Sequence, residues 1–393
     1  MTFPLANIRV LALEQAVAAP FASRHLADLG ADVIKIERPG EGDFARRYDS
    51  SVHGASSYFV WLNRAKRSLT LDFKSREGRA LLDQLIDGAD IFITNLSQDA
   101  LERAGLTPAA VRATRPRLIY CAISGYGARG PYRDRKAYDL LLQGESGLLM
   151  TTGAPDAPAK IGVSLCDIAA GVYAVISILG ALLSRAQTGN GAEINISMLE
   201  AAAEWMGAPL YYFLGSGKRL ARAGMRHNLI VPYGSYRCGD GEHINLAIQN
   251  ENEWTRFCEH VLQRADFVSD ARFARNQDRL ANRAALEALI EEIFARLNRA
   301  ALIERLEQAE IAWGDVNEVN GLAAHPQLRA LSRWFDVNVN GAPFEMLAPP
   351  LNIGEMPRRA EGVPNIGQHT DEILRELGYA DARIHAWRQS GVI

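Results

Sequence analysis

VLALEQAVAAPFASRHLADLGADVIKIE, Val10–Glu37, holds a whole crossover unit in one stretch. Val10–Leu13 is a short apolar run of strand type. Pro20–Leu29 opens on a proline, whose fixed φ suits a first helical turn. Asp32–Glu37 alternates like a strand and ends at Pro39-Gly40. Two strands joined by one helix pair in parallel, and the alternation continues downstream. Gly78–Asp87 reads as a helix, and Asp90–Thr94 and Leu118–Ile123 read as strands. The expected fold is therefore α/β, with a mostly parallel sheet covered on both faces. Ligands of such sheets sit at the carboxyl ends of the strands.

The turn inside the quoted stretch, EQAVAAP (Glu14–Pro20), contains no glycine. A dinucleotide pyrophosphate needs a glycine-rich turn so that the backbone can approach it, which weighs against a nicotinamide dehydrogenase. Further on, Tyr138–Met150 and Asp167–Ala186 read as two long helices, EINIS (Glu193–Ser197) as a strand, and a helix starts at Met198. Beyond Gly215 the character changes. Gly234–Arg237 and His243–Ile248 flank CGDGE as a hairpin, and Asn282–Leu297 and Ala300–Glu310 are amphipathic helices. The expected domains are a large one over 1–219, a smaller α+β domain over 220–320, and a return to the first over 321–393, closed by a helix near Thr370–Leu377.

The 393 residues are 48% hydrophobic and carry a net charge of -3, so no extended nucleic-acid surface is expected. Cys121, Cys166, Cys238 and Cys258 form no CxxC pair, which argues for buried thiols and against a metal site. The start lacks a secretory pattern, and the uncharged run Ile168–Ser184 is short for a membrane span. A cytoplasmic protein without a membrane partner is the expectation.

Three features could carry chemistry. Arg38 follows the second strand, where a cation could meet a phosphate or simply be solvated. NRAKRSLTLDFK (Asn63–Lys74) is the densest basic patch, with Arg64, Lys66, Arg67 and Lys74; it could hold phosphates or be a charged face. Asp167 is the one charge at the edge of a long apolar segment. It could cap the helix that follows, worth ~1 kcal/mol, or be a nucleophilic carboxylate. The residues alone leave these alternatives open.

Five segments in register bear a family resemblance: the stretch from Val10 through GEGD, LNRAKRSLTLDFKSREG, ITNLSQDALERAGL, SGYGARGPYRDRKAYDLLLQGESGLLMTTG, and CDIAAGVYAVISILGALLSRAQTGNG. With PNIGQHTDEILRELGY (Pro364–Tyr379), the chain resembles the class III coenzyme A transferases, whose fold the α-methylacyl-CoA racemases share. The resemblance implies a Rossmann-like large domain, a small domain and an interlocked homodimer. It implies acyl-CoA and a short carboxylic acid as substrates, with no tightly bound cofactor and no metal. Carried over by position, Asp167 is the nucleophile. Val17, Ala18, Arg38, Leu71, Lys74, Asn95, Leu96, Ser97 and Arg103 fall on CoA-binding positions, as do Lys136, Ala137, Tyr138 and Asp139.

Racemases of this fold have His-Asp where this chain has Tyr138-Asp139. A phenol with a pKa near ~10 is a poor proton shuttle at neutral pH, which favours transfer over racemisation. A CoA-binding protein without catalysis is the remaining alternative. Val17 replaces the glutamine of formyl-CoA transferases, and MRHNLIVPYG (Met225–Gly234) lacks their glycine run. This disfavours formate and oxalate, and the segments KAYDLLLQGESGLLMTTG and AIQNENEW resemble family members acting on C4–C5 dicarboxylates such as succinate, mesaconate, itaconate or citramalate, which are the expected acids. An ionised Asp167 at a positive helix end suits the attack. Arg46, Arg47 and His227 are candidates to hold a distal carboxylate.

Overall fold

In the computed structural model, which describes residues 3–393, strands β1 (Arg9–Leu13), β2 (Asp32–Glu37), β3 (Arg67–Thr70), β4 (Ile91–Thr94), β5 (Ile119–Ser124) and β6 (Glu193–Ser197) form one sheet in the order β3-β2-β1-β4-β5-β6. Every neighbouring pair is parallel. The order reverses between β1 and β4, and a parallel sheet opens a crevice at the carboxyl ends of such a pair.

Strand periodicity of two sends alternate residues to opposite cores. Val10, Ala12, Ile91, Ile93, Ile119 and Cys121 face one layer. Leu11, Leu13, Phe92 and Tyr120 face the other. Both faces are buried because helices cover both, which is why the strands read as continuous apolar runs. The helices α1 (Ala18–Asp28), α2 (Ser57–Asn63), α3 (Arg76–Asp87), α4 (Gln98–Arg103), α5 (Pro108–Arg112), α6 (Asp139–Glu145), α7 (Leu148–Thr151), α8 (Leu165–Thr188) and α9 (Met198–Trp205) follow in chain order. α1 and α8 contribute to the first layer. α3 and the C-terminal helices Thr370–Glu376 and Asp381–Gln389 contribute to the second.

The chain divides into two units, Met1–Leu148, Ile161–Ala208 and Leu328–Ile393 against Leu149–Lys160 and Pro209–Gln327. The second begins at Pro209 rather than near 220 and includes Leu149–Lys160, a segment the sequence places in the large domain. Within it, β7 (Tyr233–Arg237), β8 (His243–Ala247) and β9 (Ala312–Asp315) form an antiparallel sheet over a core that includes Trp254, Phe257 and Phe294. In the first unit, the C-terminal segment returns to the sheet edge, where the β3 Ser68 and Thr70 N–H groups donate to His369 Nδ1 and Thr370 Oγ1.

Two helices differ from expectation. The Tyr138–Met150 run is broken into α6 and α7, with Gly147 between them at φ +86°. The long helix starts at Leu165, two residues before Asp167, and ends at Gly189 in the left-handed conformation. Among the described residues α8 is the one helix long and apolar enough to cross a membrane. Its Ala169, Ala170, Gly171, Ala174 and Ile178 are buried in the layer shared with α1.

Candidate active site

Two hollows open at the carboxyl ends of the first unit's strands, and Gln15, just after β1, lines both. One, of about 170 Å³, is lined by Arg38, Gly42, Asp72, Lys74 and Leu96 among others. The second, of about 520 Å³, is lined by the Ala16–Ala18 turn, Phe44, Tyr48, Tyr58, Asn95, Ser124, Gly125, Ala137–Leu140, Ser164, Asp167 and Met198. That lining holds two carboxylates, Asp139 and Asp167, and no Arg, Lys or His among the described residues.

Asp167 lies in the first turn of α8, not at its cap. Ser164 stands at the cap and makes no side-chain cap bond. Asp139 supplies it instead: its Oδ1 accepts from the Cys166 N–H at 2.9 Å, while its Oδ2 accepts from Gln143 Nε2 at 2.7 Å. The capping role assigned to Asp167 thus belongs to a residue on another helix, and Asp167 is left with its carboxylate toward the hollow.

Burial, and then the charge of Asp139, push the Asp167 carboxyl up to about 7; a hydrogen bond with the Ala18 backbone opposes them. The expectation of a carboxylate fully ionised at neutral pH is corrected accordingly. A helix N-terminus favours the anion by only ~0.3–1 kcal/mol. Desolvation beside a second carboxylate outweighs that. Cys166, adjacent in sequence, has its thiol pushed up to about 12 by burial, so it offers no thiolate. All four cysteines are buried and unbridged.

Gly171, one turn beyond Asp167, sets how closely α8 approaches the β1–α1 turn. A Cβ there would meet Phe21 Cδ1 at 2.8 Å and the Ala18 carbonyl oxygen at 2.9 Å. The small residue brings the Asp167 end of α8 against Ala18.

The turn itself is held by side chains from two neighbouring loops. Asn95, after β4, accepts from Gln15 N at 3.0 Å and donates to Gln15 O at 2.8 Å. Asp43, after β2, accepts from Ala16 N at 3.1 Å. Beneath it lies a buried charge network. Glu14 accepts from Lys66 Nζ at 2.8 Å and from Ser23 Oγ, and Lys35 bridges Asp43 at 2.9 Å and Glu14 at 3.4 Å.

Of the residues singled out in the sequence, the structure brings Val17, Ala18, Asn95, Ala137, Tyr138, Asp139 and Asp167 to the larger hollow. Arg38, Leu71, Lys74 and Leu96 line the smaller one. Arg38 is exposed and pairs with Glu41 at 2.6 Å. Ser97 lines neither; its hydroxyl caps α4 by accepting from Ala100 N at 3.3 Å. Arg103 and Lys136 are exposed and line neither hollow.

The basic patch does not act as a unit. Lys66 is buried under Glu14, Arg64 is buried against Asp28 at 2.5 Å, and Arg67 pairs with Asp32 at 2.7 Å; of the four, only Lys74 is exposed at a hollow. These are fold-holding pairs, and the phosphate reading is withdrawn for all but Lys74. The candidates for a distal carboxylate fare similarly. Arg46 is engaged with Glu37 at 2.6 Å and lies over the Phe59 ring at 3.6 Å. Arg47 donates to Glu41 O at 2.9 Å. His227, in the second unit, accepts from Leu229 N and Ile230 N at 3.1 Å through Nδ1, and burial lowers its pKa, so it is neutral at pH 7.

Sequence reasoning missed Gln15, Tyr48 and Tyr58 in the lining and Asp43 behind it. Tyr48 and Tyr58 meet edge-on at 5.4 Å between centroids. They come from a loop and a short helix that show no periodic pattern, so only three-dimensional proximity identifies them. Glu14 offered a signal, an acid directly after a buried strand.

The fold is a parallel α/β sheet with two hollows at its carboxyl edge, and the chain belongs to CoA-transferase family III, whose family model matches residues 5–370. It is 34% identical to a succinate–glutarate CoA-transferase of Agrobacterium fabrum, over 95% of this chain and 96% of that protein. It is 30% identical to an acetyl-CoA:oxalate CoA-transferase of Acetobacter aceti, over 97% of each. The structure is similar to that of a CaiB/BaiF family protein from Brucella suis, with a TM-score of 0.83, 36% identity, and coverage of 96% of this chain and 100% of that one.

Proposed function

We propose that this CoA-transferase moves CoA between C4–C5 dicarboxylic acids, with succinyl-CoA as a donor, through a covalent intermediate on Asp167. The observation that carries the reading is Asp167 itself, freed of the capping role by Asp139 and facing a 520 Å³ hollow. The succinate–glutarate relative supports the substrate range.

The chemistry balances with the groups present. The ionised Asp167 carboxylate attacks the thioester carbonyl, the C–S bond breaks, and CoA leaves as the thiolate, giving an acyl-aspartyl anhydride. Return of the thiolate to the aspartyl carbonyl expels the donor acid and leaves CoA on Asp167 as a thioester. The acceptor carboxylate attacks that thioester, and the first two steps run in reverse. The raised pKa of Asp167 favours the attacking steps: a weakly solvated carboxylate is a better nucleophile than one held by several donors.

Arg38 and Lys74, exposed at the smaller hollow, would meet phosphates of CoA, since Arg38 is held only by a surface pair worth ~0–1 kcal/mol. The Rossmann-like label for this unit rests on its strand order. The larger hollow has no cation, so the Tyr48 and Tyr58 phenols are the donors proposed for a distal carboxylate. Tyr138 in place of a histidine supports transfer over racemisation. Exposed apolar side chains, Ile176 and Leu183 on α8 and Leu210, Tyr211, Phe213 and Leu214 on the helix Gly207–Ser216, support the expected homodimer.

The test is transfer from succinyl-CoA to a panel of acids, followed by mass. Glutarate and its C4–C5 neighbours should be accepted, and Asp167→Ala should reduce turnover by about four orders of magnitude or more. Substantial turnover in Asp167→Ala would reject the assignment. Rapid α-exchange of a 2-methylacyl-CoA in deuterated water would favour racemisation.

A further inference from the structure

The backbone of the β1–α1 turn contains a conformation that its sequence does not favour. Ala16 sits at φ +61°, in the left-handed region, in a turn without glycine. For a residue with a Cβ that region is costly, and it persists only where the surroundings over-determine it. Here they do. The Gln15 N–H and carbonyl are both taken by the Asn95 side chain, and the Ala16 N–H is taken by Asp43. Asp43 is itself fixed: its Oδ1 also accepts from Ala45 N at 2.9 Å, its Oδ2 from Lys35 Nζ, and its own N–H donates to Glu37 Oε2 at 2.9 Å. Two residues beyond Ala16, Ala18 lines the same hollow as Asp167, its carbonyl lies against Gly171 one turn along α8, and its backbone lowers the Asp167 pKa against the effect of burial.

We propose that Asp43 and Asn95 are positioning residues for Asp167. Together they lock the Gln15–Ala16 segment in its left-handed turn and so aim the Ala18 N–H at the carboxylate that carries the acyl group. Neither needs to touch the reacting atoms: Asp43 lines the smaller hollow and not the larger, and Asn95 reaches the larger one with its amide spent on the Gln15 backbone. The acids of the buried network, Glu14, Asp43 and Glu37, are matched by Lys35, Lys66 and Arg46, so the turn is anchored to a neutral cluster rather than to solvent. A hydrogen bond aimed by a rigid frame fixes the rotamer from which the carboxylate attacks. Sub-ångström placement of that kind governs kcat more than ground-state binding. The inference rests on Asp167 being the nucleophile.

Steady-state transfer from succinyl-CoA to glutarate, with kcat and KM measured separately, tests it. Asp43→Asn should lower kcat by about thirtyfold or more while the KM for succinyl-CoA changes by less than about threefold. The diagnostic readout is the sign of Ala16→Gly. Glycine adopts positive φ without penalty. In the Asp43→Asn background it should therefore recover part of kcat, by about fivefold to thirtyfold at most, the factor by which a left-handed alanine is disfavoured. In the wild-type background the same change adds freedom to a turn already held and should lower kcat. A network that only stabilises the fold would reduce the melting temperature, leave kcat per folded enzyme unchanged and give Ala16→Gly the same sign in both backgrounds; that pattern overturns the proposal. Should Asp43→Asn fail to fold with Lys35 uncompensated, the uncharged Asn95→Ala carries the same test. If wild-type enzyme does not transfer CoA, or Asp167→Ala still does, the nucleophile reading fails. If Asp167→Ala is inactive while the Asp43 and Asn95 variants keep wild-type kcat, only the positioning role fails.

Discussion

The two hollows that meet at Gln15 treat charge differently. The smaller has two exposed cations, Arg38 in a surface pair with Glu41 and Lys74, beside Asp72 and the buried acids Glu14, Glu37 and Asp43. The larger contains two acids, three phenols and, among the described residues, no cation, and its Asp167 is driven toward neutrality. On the proposed function, a phosphate-bearing handle would meet exposed charge, whereas the reacting group would be poorly solvated. The difference separates binding from chemistry: one hollow should control KM and the other kcat.

The strongest way to break that separation is to move the acid side bodily. Gly171→Ala places a Cβ against the Ala18 carbonyl and Phe21. It should lower kcat by about a hundredfold, since misplacement by about an ångström costs that much, with the KM for acyl-CoA little changed. A matching rise in KM would show that the hollows are not independent. On the other side, Arg38→Ala or Lys74→Ala should raise the KM for acyl-CoA about tenfold at low salt, less at high salt, with kcat retained.

The carboxylate pair gives a smaller, pH-dependent effect. With Asp167 pushed up to about 7, kcat/KM for acyl-CoA should rise with pH and level off above that value, because only the anion attacks. Asp139→Asn keeps an acceptor for the Cys166 N–H but removes the repelling charge. The rising limb should move to lower pH by about one unit or less, since burial is the larger cause and remains.

The smallest effect concerns stability. The folded pKa of Asp167 lies above its unfolded value, so the folded state binds the extra proton. Stability is therefore lost as pH rises from about 4 through about 7, and the penalty is complete above that. Asp167→Asn should unfold in urea with a free energy about 1–2 kcal/mol higher than wild type at pH 8, after allowance for partial exposure, and with little difference at pH 4. The same carboxylate would then be a cost to the fold and the source of the chemistry.

Much of the scaffold was legible because strands and amphipathic helices announce themselves by period. Val10–Glu37 folds as read, with β1, α1 and β2 in place within a few residues. Asp167 was legible as an anomaly, a single charge bordering an apolar run. What could not be read were contacts between distant loops. Asp139 capping α8 across 27 residues, Asn95 clasping Gln15 across 80, and the burial of Lys66 beneath Glu14 leave no local pattern. The basic patch failed for the same reason: which charges face inward depends on acids brought from the end of β1, from α1 and from β2. Ala16 is the extreme case, since nothing in EQAVAAP favours a positive φ and the surrounding side chains impose it.

The most direct test of the account is to catch the acyl group on its carrier. Enzyme incubated with succinyl-CoA and quenched with hydroxylamine, then digested and mapped by mass, should carry a hydroxamate on Asp167 and on no other acid, with release of free CoA. An unmodified Asp167 under conditions where transfer proceeds, or the label on Asp139, would contradict the assignment.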